Sequence, residues 1–205
     1  MNEPIKNILI AGVGGQGTLL TSRIIANVAV NMGWDVKISE VHGMAQRGGS
    51  VVSQVRYGEK VYSPIIDKKQ GDILLAFEKL EAARWLDYLK PNGLLLVNDD
   101  RIDPLPVMSG KAKYPTDIID KVRTIMPDTV LLNATKIAVD CGNVKAANVV
   151  LVGALAAAIG LPEDKVEKAI EQLVPAHVLE INLMAFNEGQ KAYKINSHLK
   201  SSLSQ

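Results

Sequence analysis

Ile8-Leu9-Ile10-Ala11-Gly12-Val13-Gly14-Gly15-Gln16-Gly17-Thr18 is the stretch from which the rest of the chain is read. An apolar run rich in β-branched residues ends in glycines and passes into a helix-like pattern, which specifies a buried strand, a tight turn and a helix N-terminus. Gly12, Gly14 and Gly17 keep the G-x-G-x-x-G spacing. Without β-carbons the chain turns sharply, brings N–H groups up to a phosphate and packs the helix on the strand. The helix beginning near Thr18 aims the positive end of its dipole at the same place. The same glycines also suit a close strand-to-helix turn that binds nothing, so the motif alone names no ligand. Gln16 adds an amide donor and acceptor beside those N–H groups.

Outward from this loop, Leu20, Ile24, Ile25 and Val28 form a helical stripe between Leu19 and Met32, and Gly33 stops it. Asp35 to Ser39 reads as a second strand. A strand, helix, strand unit of this length implies parallel pairing of the two strands and a right-handed crossover. That brings Gly12 to Gly17 and the segment after Ser39 to one edge of the sheet, where open α/β sheets bind ligands.

The segment arriving there is Glu40-Val41-His42-Gly43-Met44-Ala45-Gln46-Arg47-Gly48-Gly49, which has neither helical nor strand periodicity. Arg47 offers a planar fork of donors suited to phosphate or carboxylate, and Gly48-Gly49 lets backbone amides approach a ligand. A solvated arginine before a flexible turn has the same composition; the position beside the first glycine loop makes this one a candidate. His42 lies in the same segment, whereas His177 and His198 are too scattered to join it in a metal set.

From Ser50 the pattern changes. Val51, Val52, Val55 and Tyr57, then Gly58-Glu59, then Val61, Tyr62 and Ile65 predict an antiparallel hairpin inserted into the otherwise parallel sheet. The α/β rhythm resumes with Ile73 to Phe77 as a strand, Glu78 to Leu89 as a helix, Pro91-Asn92-Gly93 as a turn and Leu94 to Asn98 as a strand. Asp99-Asp100 reads as solvated turn carboxylates, since no third ligand stands at a metal-binding spacing. Arg101 to Tyr114 is irregular, Thr116 is placed to cap a helix through Met126, and Thr129 to Asn133 is a strand. Ala146 to Ile159, rich in alanine with Gly153 at its middle, predicts a helix with a narrow face for close packing. Glu163 to Leu173 follows Pro162 as a helix, and Ile181 to Glu188 as a short one before a polar tail. The fold class is α/β: a Rossmann-like three-layer arrangement.

Composition excludes several function classes. The 205 residues suffice for a full core, and without a long polar linker they read as one domain over 1–205. Acids and bases nearly balance at a formal +1, so neither nucleic acid nor an anionic membrane is a partner on electrostatic grounds. The apolar run from Ala146 to Leu161 is too short to span a bilayer and no leader precedes the first strand, which places the protein in the cytoplasm. Cys141 is the single cysteine, so the chain cannot supply the thiolates of an iron–sulfur cluster. No nucleophile with a placed base is legible, and no catalytic residue is assigned.

The two glycine loops in this order, Gly12-Val13-Gly14-Gly15-Gln16-Gly17 and Gln46-Arg47-Gly48-Gly49, together with Asn148 to Gly153 and Asn182 to Gly189, resemble the gamma component of the 2-oxoacid:ferredoxin oxidoreductases nearly end to end. Within that family Val41 to Val51 most resembles members acting on indolepyruvate. The resemblance implies an enzyme that decarboxylates a 2-oxoacid on thiamine diphosphate, passes electrons through iron–sulfur clusters to ferredoxin and transfers the acyl group to coenzyme A. It places thiamine diphosphate and the clusters on a large partner subunit, because this chain also lacks a Gly-Asp-Gly thiamine motif. It gives the loops, at Gly12, Gly14, Gly15, Gln16, Gly17, Thr18, His42, Arg47, Gly48 and Gly49, either the phosphates of coenzyme A or a surface of that partner. Aryl pyruvates are favoured as the 2-oxoacid, with pyruvate, 2-oxoglutarate and branched-chain acids open. The rival reading is a self-sufficient NAD-dependent dehydrogenase, with Glu40 where a ribose-binding acid is expected.

Overall fold

The computed structural model describes residues 5–42 and 48–203, with side chains at all of these except 42 and 198–203. Within them, β1 (Lys6–Val13), β2 (Asp35–His42), β3 (Ser50–Gly58), β4 (Gly71–Ala76), β5 (Leu89–Asn98) and β6 (Val130–Leu132) form one sheet in the order β2-β3-β1-β4-β5-β6. The helices are α1 (Thr18–Asn31), α2 (Lys79–Trp85), α3 (Leu105–Met108), α4 (Ile118–Ile125), α5 (Ala134–Asp140), α6 (Ala147–Ile159), α7 (Glu163–Leu173) and α8 (Leu179–Leu203).

The apolar runs of the central strands are buried on both faces, as parallel strands under two helix layers must be. Ile8 and Ile10 of β1, Ile73 and Leu75 of β4 and Leu96 of β5 pack on one face with α1, α6, α7 and α8. Leu9, Ala11, Leu74, Ala76, Leu95 and Val97 pack on the other with α2 and α4.

The pairing of the first two strands differs from expectation. β1 and β2 run in the same direction, but each pairs antiparallel with β3, which lies between them. The antiparallel hairpin is therefore β2 with β3, and residues 61–65 form no second strand. With β2 on one edge of β3 and β1 on the other, no ladder position remains for that segment. Side chains satisfy it instead: Asp35 accepts the Val61 N–H at 2.9 Å, Gln54 accepts that of Ile66 at 2.6 Å, and Arg56 donates to the carbonyls of Ser63 and Ile65 at 2.8 and 2.9 Å.

Three boundaries also shift. β5 begins at Leu89, and residues 90–93 stand opposite Asp72 alone where the register jumps from Gly71↔Leu89 to Ile73↔Leu94. The expected Pro91-Asn92-Gly93 turn is thus part of an irregular bulge. Asp117, not Thr116, occupies the N-cap position of α4. The last helix runs on to Leu203 instead of stopping at Glu188, and beyond that point buried Gln190 and the half-buried Ala192 and Tyr193 still pack it against the core.

α6 is apolar on all sides and buried continuously from Asn148 to Ala156, as an enclosed helix should be. Its narrow face meets α8. A β-carbon on Gly153 would lie 2.1 Å from the Phe186 carbonyl oxygen, and one on Gly189 would lie 2.0 Å from that of Val150. Cys141 is buried, and that burial pushes its thiol pKa up.

Candidate functional site

Because β1, β4, β5 and β6 are parallel, their carboxyl ends meet at one edge, joined there by the end of β2 and the start of β3. The connections leaving β1 and β4 pass to opposite faces, α1 to one and α2 to the other. A crevice opens at such a switch point. Here it is a cavity of about 410 Å³ lined by the first glycine loop, Phe77, Asn98, Asp100, Thr135 and the residues entering α6.

The glycine loop is held from several sides. Gln16 folds back so that its Oε1 accepts the Val13 N–H at 2.7 Å, while its Nε2 donates across the crevice to the Phe77 carbonyl at 3.1 Å. Its amide, read from sequence as facing a ligand, is thus engaged in joining the ends of β1 and β4. Gly12 leaves room for the first helix: a β-carbon there would come within 2.8 Å of Thr18 Cγ2. Gly15 and Gly17 have φ of 104° and 88°, a region that only glycine enters freely. Gly17 stands at the N-cap of α1 without a side-chain cap, so the first-turn amides of that helix keep no intrahelical partner. Thr18 is buried just behind it.

The second glycine-rich segment meets the first. The Gly14 N–H donates to the Gly49 carbonyl at 2.9 Å, extending the β1–β3 ladder past Val13↔Ser50, and Gly48 N lies 3.5 Å from the Gly14 carbonyl oxygen. Ser50 donates its hydroxyl to Glu81, a buried carboxylate on α2 whose other oxygen accepts Arg84 Nε at 3.1 Å. Gly48 and Gly49 are therefore placed beside the first loop. His42 ends β2 at the same edge, paired with Val51, and its side chain is outside the described set. Arg47, with Gly43 to Gln46, lies outside the described residues.

Residues that sequence reading did not assign to the site complete it. Asn98 Nδ2 donates to the Phe77 carbonyl at 3.2 Å and to Thr135 Oγ1 at 3.1 Å, its Oδ1 accepts the Ala134 N–H at 2.9 Å, and Thr135 donates to Asp100 Oδ2 at 3.2 Å. Asp99, by contrast, turns to Lys79 at 2.6 Å. Asn148 closes the far wall, its Nδ2 only 2.4 Å from where a Gly17 β-carbon would be. These side chains come from different strand ends and helix starts, so no local motif announces them.

A second buried carboxylate supports the rim. Glu78 caps α2 by accepting the N–H groups of Leu80 and Glu81 at 2.7 and 3.1 Å, and it also accepts the Tyr114 hydroxyl and, at 3.4 Å, the Ile102 N–H. Burial pushes the Glu78 carboxyl above the usual carboxylate value. Burial, and then the bond to Glu78, likewise pushes the Tyr114 phenol up, so the tyrosine stays a donor. The Arg101 guanidinium stacks 4.5 Å from the Tyr114 ring centroid.

Comparison with known proteins agrees with this architecture. The family model for Pyruvate ferredoxin/flavodoxin oxidoreductase matches residues 7–192. Indolepyruvate oxidoreductase subunit IorB of Thermococcus kodakarensis is 40% identical over 195 residues, 92% of this chain and 96% of that protein. The keto/oxoacid ferredoxin oxidoreductase gamma subunit of Geobacter sulfurreducens superposes with a TM-score of 0.69 at 27% identity, over 93% of this chain and 99% of that one. A 2-oxoglutarate:ferredoxin oxidoreductase from Magnetococcus marinus, solved with 2-oxoglutarate, coenzyme A and succinyl-CoA bound, shares the fold, with a TM-score of 0.73 at 20% identity over 94% of this chain and 32% of that longer one. From this match over most of its length, the chain belongs to the pyruvate ferredoxin/flavodoxin oxidoreductase family.

Proposed function

We propose that this chain is the small subunit of an indolepyruvate (aryl pyruvate) ferredoxin oxidoreductase, and that its carboxyl-edge crevice binds coenzyme A for the acyl transfer that ends the reaction. In the balanced reaction a 2-oxoacid, coenzyme A and two oxidised ferredoxins give an acyl-CoA, carbon dioxide, two reduced ferredoxins and a proton. Thiamine diphosphate and the clusters belong to a large partner, since one buried cysteine cannot hold a cluster. No described helix is long and apolar enough to cross a membrane, and the reading places the complex in the cytoplasm.

The observation that carries the reading is the joining of the two glycine loops, Gly14 to Gly49, beside the cavity. Backbone amides, glycines and an uncapped helix start converge there, as phosphate recognition requires. The Magnetococcus protein, whose longer chain contains this fold, was solved with coenzyme A. The chemistry on this chain is binding and orientation of the acyl acceptor.

A dinucleotide dehydrogenase fits less well. Glu40 lines a smaller cavity with Gly14, Gly15, Gly17, Thr18, Leu19 and Val51, but β3 separates β2 from β1 and so moves the acid two strand spacings, about 9–10 Å, from the loop's own strand. Co-purification of the native protein is the test. A large companion with iron–sulfur absorption and indolepyruvate-dependent dye reduction requiring coenzyme A is expected. A lone colourless chain that alters NADH fluorescence would overturn the reading.

A further inference from the structure

Five consecutive residues, Phe77 to Glu81, where β4 turns into α2, are bonded to both glycine segments and to the chain leaving β5. The Phe77 carbonyl accepts Gln16 Nε2 of the first glycine loop at 3.1 Å and Asn98 Nδ2 at 3.2 Å. The Lys79 N–H donates to the Asp100 carbonyl at 3.3 Å. Glu78 Oε1 accepts the Tyr114 hydroxyl and, at 3.4 Å, the Ile102 N–H, while Glu81 Oε2 accepts the hydroxyl of Ser50 beside Gly49. Asp100 and Ile102 line the cavity. Glu78, Glu81 and Tyr114 lie behind that lining, only 1%, 3% and 8% exposed, so they are out of reach of a bound molecule.

These two carboxylates exceed what α2 needs. Glu78 Oε2 alone caps the helix on the N–H groups of Leu80 and Glu81, a task that a serine or aspartate performs. The other oxygen serves residues 24 and 36 positions further along the chain. Burying two acids within one turn is costly, and a well-packed apolar corner would serve stability as well or better. The four hydrogen bonds to Glu78 favour its charged form against that burial. What the acids add is a fixed position for two separate walls.

We infer that Glu78 and Glu81 are positioning residues for the acyl acceptor. Glu78 sets the wall of Asp100 and Ile102 through the Ile102 N–H and Tyr114, and Glu81 sets the second glycine segment through Ser50. This rests on the reading that coenzyme A binds in the crevice, and it adds residues outside the cavity on which that binding depends.

The test uses the assembled complex, with coenzyme A and the 2-oxoacid varied in turn. Tyr114→Phe keeps the ring and removes only the hydroxyl held by Glu78; Ser50→Ala removes the one held by Glu81. Each raises KM for coenzyme A about threefold to tenfold, the net worth of one hydrogen bond, and leaves kcat and KM for the 2-oxoacid as in the wild type. The double variant multiplies the two effects, because the arms act on different walls. Glu78→Gln, which keeps an acceptor for the helix cap, behaves as Tyr114→Phe does. Ile170→Ala, a cavity in the core under α7, costs stability but leaves KM for coenzyme A unchanged, which separates positioning from general loosening. If Glu78→Gln does not assemble, Tyr114→Phe decides. A wild-type complex that saturates with coenzyme A while either Tyr114→Phe or Ser50→Ala keeps its KM overturns the inference, as does an equal rise in Ile170→Ala. A wild-type complex that never saturates with coenzyme A overturns the underlying reading instead.

Discussion

The Gly14 N–H donates to the Gly49 carbonyl at 2.9 Å, so the two glycine-rich segments, separated by a helix and a strand in the chain, are adjoining parts of one edge. Ser50 continues this junction to the interior by donating to buried Glu81. Ser50→Ala deletes the donor and leaves the carboxylate with Arg84 alone. The loss of folding stability should be about 1–3 kcal/mol, as for other buried groups deprived of a partner. Glu81→Gln, which keeps an acceptor for Ser50, should cost less than Ser50→Ala. Denaturant midpoints compare them, and equal, near-zero shifts would show that the contact contributes nothing.

Gly17 carries two constraints at once. Its φ of 88° disfavours any side chain, and a β-carbon would lie 2.4 Å from Asn148 Nδ2. Gly17→Ala should therefore destabilise by about 1–3 kcal/mol from backbone strain and also displace Asn148. Gly33→Ala shares the positive φ but has open space around it, so it should cost less. Thermal or denaturant unfolding of the two variants measures the difference, and equal losses would mean that the Asn148 contact is without weight.

The α6–α8 crossing offers a sharper packing test. With the Phe186 carbonyl 2.1 Å from a Gly153 β-carbon, even one methyl group must push the helices apart. Gly153→Ala should lose about 1–3 kcal/mol or more through overpacking, despite alanine's better helix propensity. A variant as stable as the parent would refute the close approach.

These elements differ in how far the sequence announces them. The first strand, its glycine turn and α1 follow from local pattern, as do α6 and the bounds of α7, because period and punctuation act over a few residues. The place of β3 does not, since alternation of apolar residues specifies a strand without naming its neighbours. Val61, Tyr62 and Ile65 look like a strand, yet both edges of β3 are already taken. The long run of α8 past Glu188 was concealed by its polar exposed face. Half of the site was legible as glycine spacing; Asn98, Asp100, Thr135, Lys145 and Asn148 are assembled only by the meeting of strand ends.

Glu78 predicts a pH dependence with a definite sign. Burial raises its folded-state pKa above the usual 4.5, so the unfolded chain releases this proton first as pH rises. Its contribution to stability is full below the unfolded value and is lost as pH climbs through the folded one. The paired carboxylates Asp35 and Asp117 are lowered and run oppositely, so the comparison must be with Glu78→Gln. The difference in unfolding free energy, wild type minus variant, should decline as pH rises from about 4.5. A flat difference would place the group in a solvated setting.

The most direct measurement of the central claim is hydrogen–deuterium exchange on the assembled complex with and without coenzyme A. Coenzyme A should slow exchange in this chain at the amides of 14–19 and 144–149, the two walls of the crevice. Protection confined to the large subunit, with both segments of this chain unaffected, would contradict it.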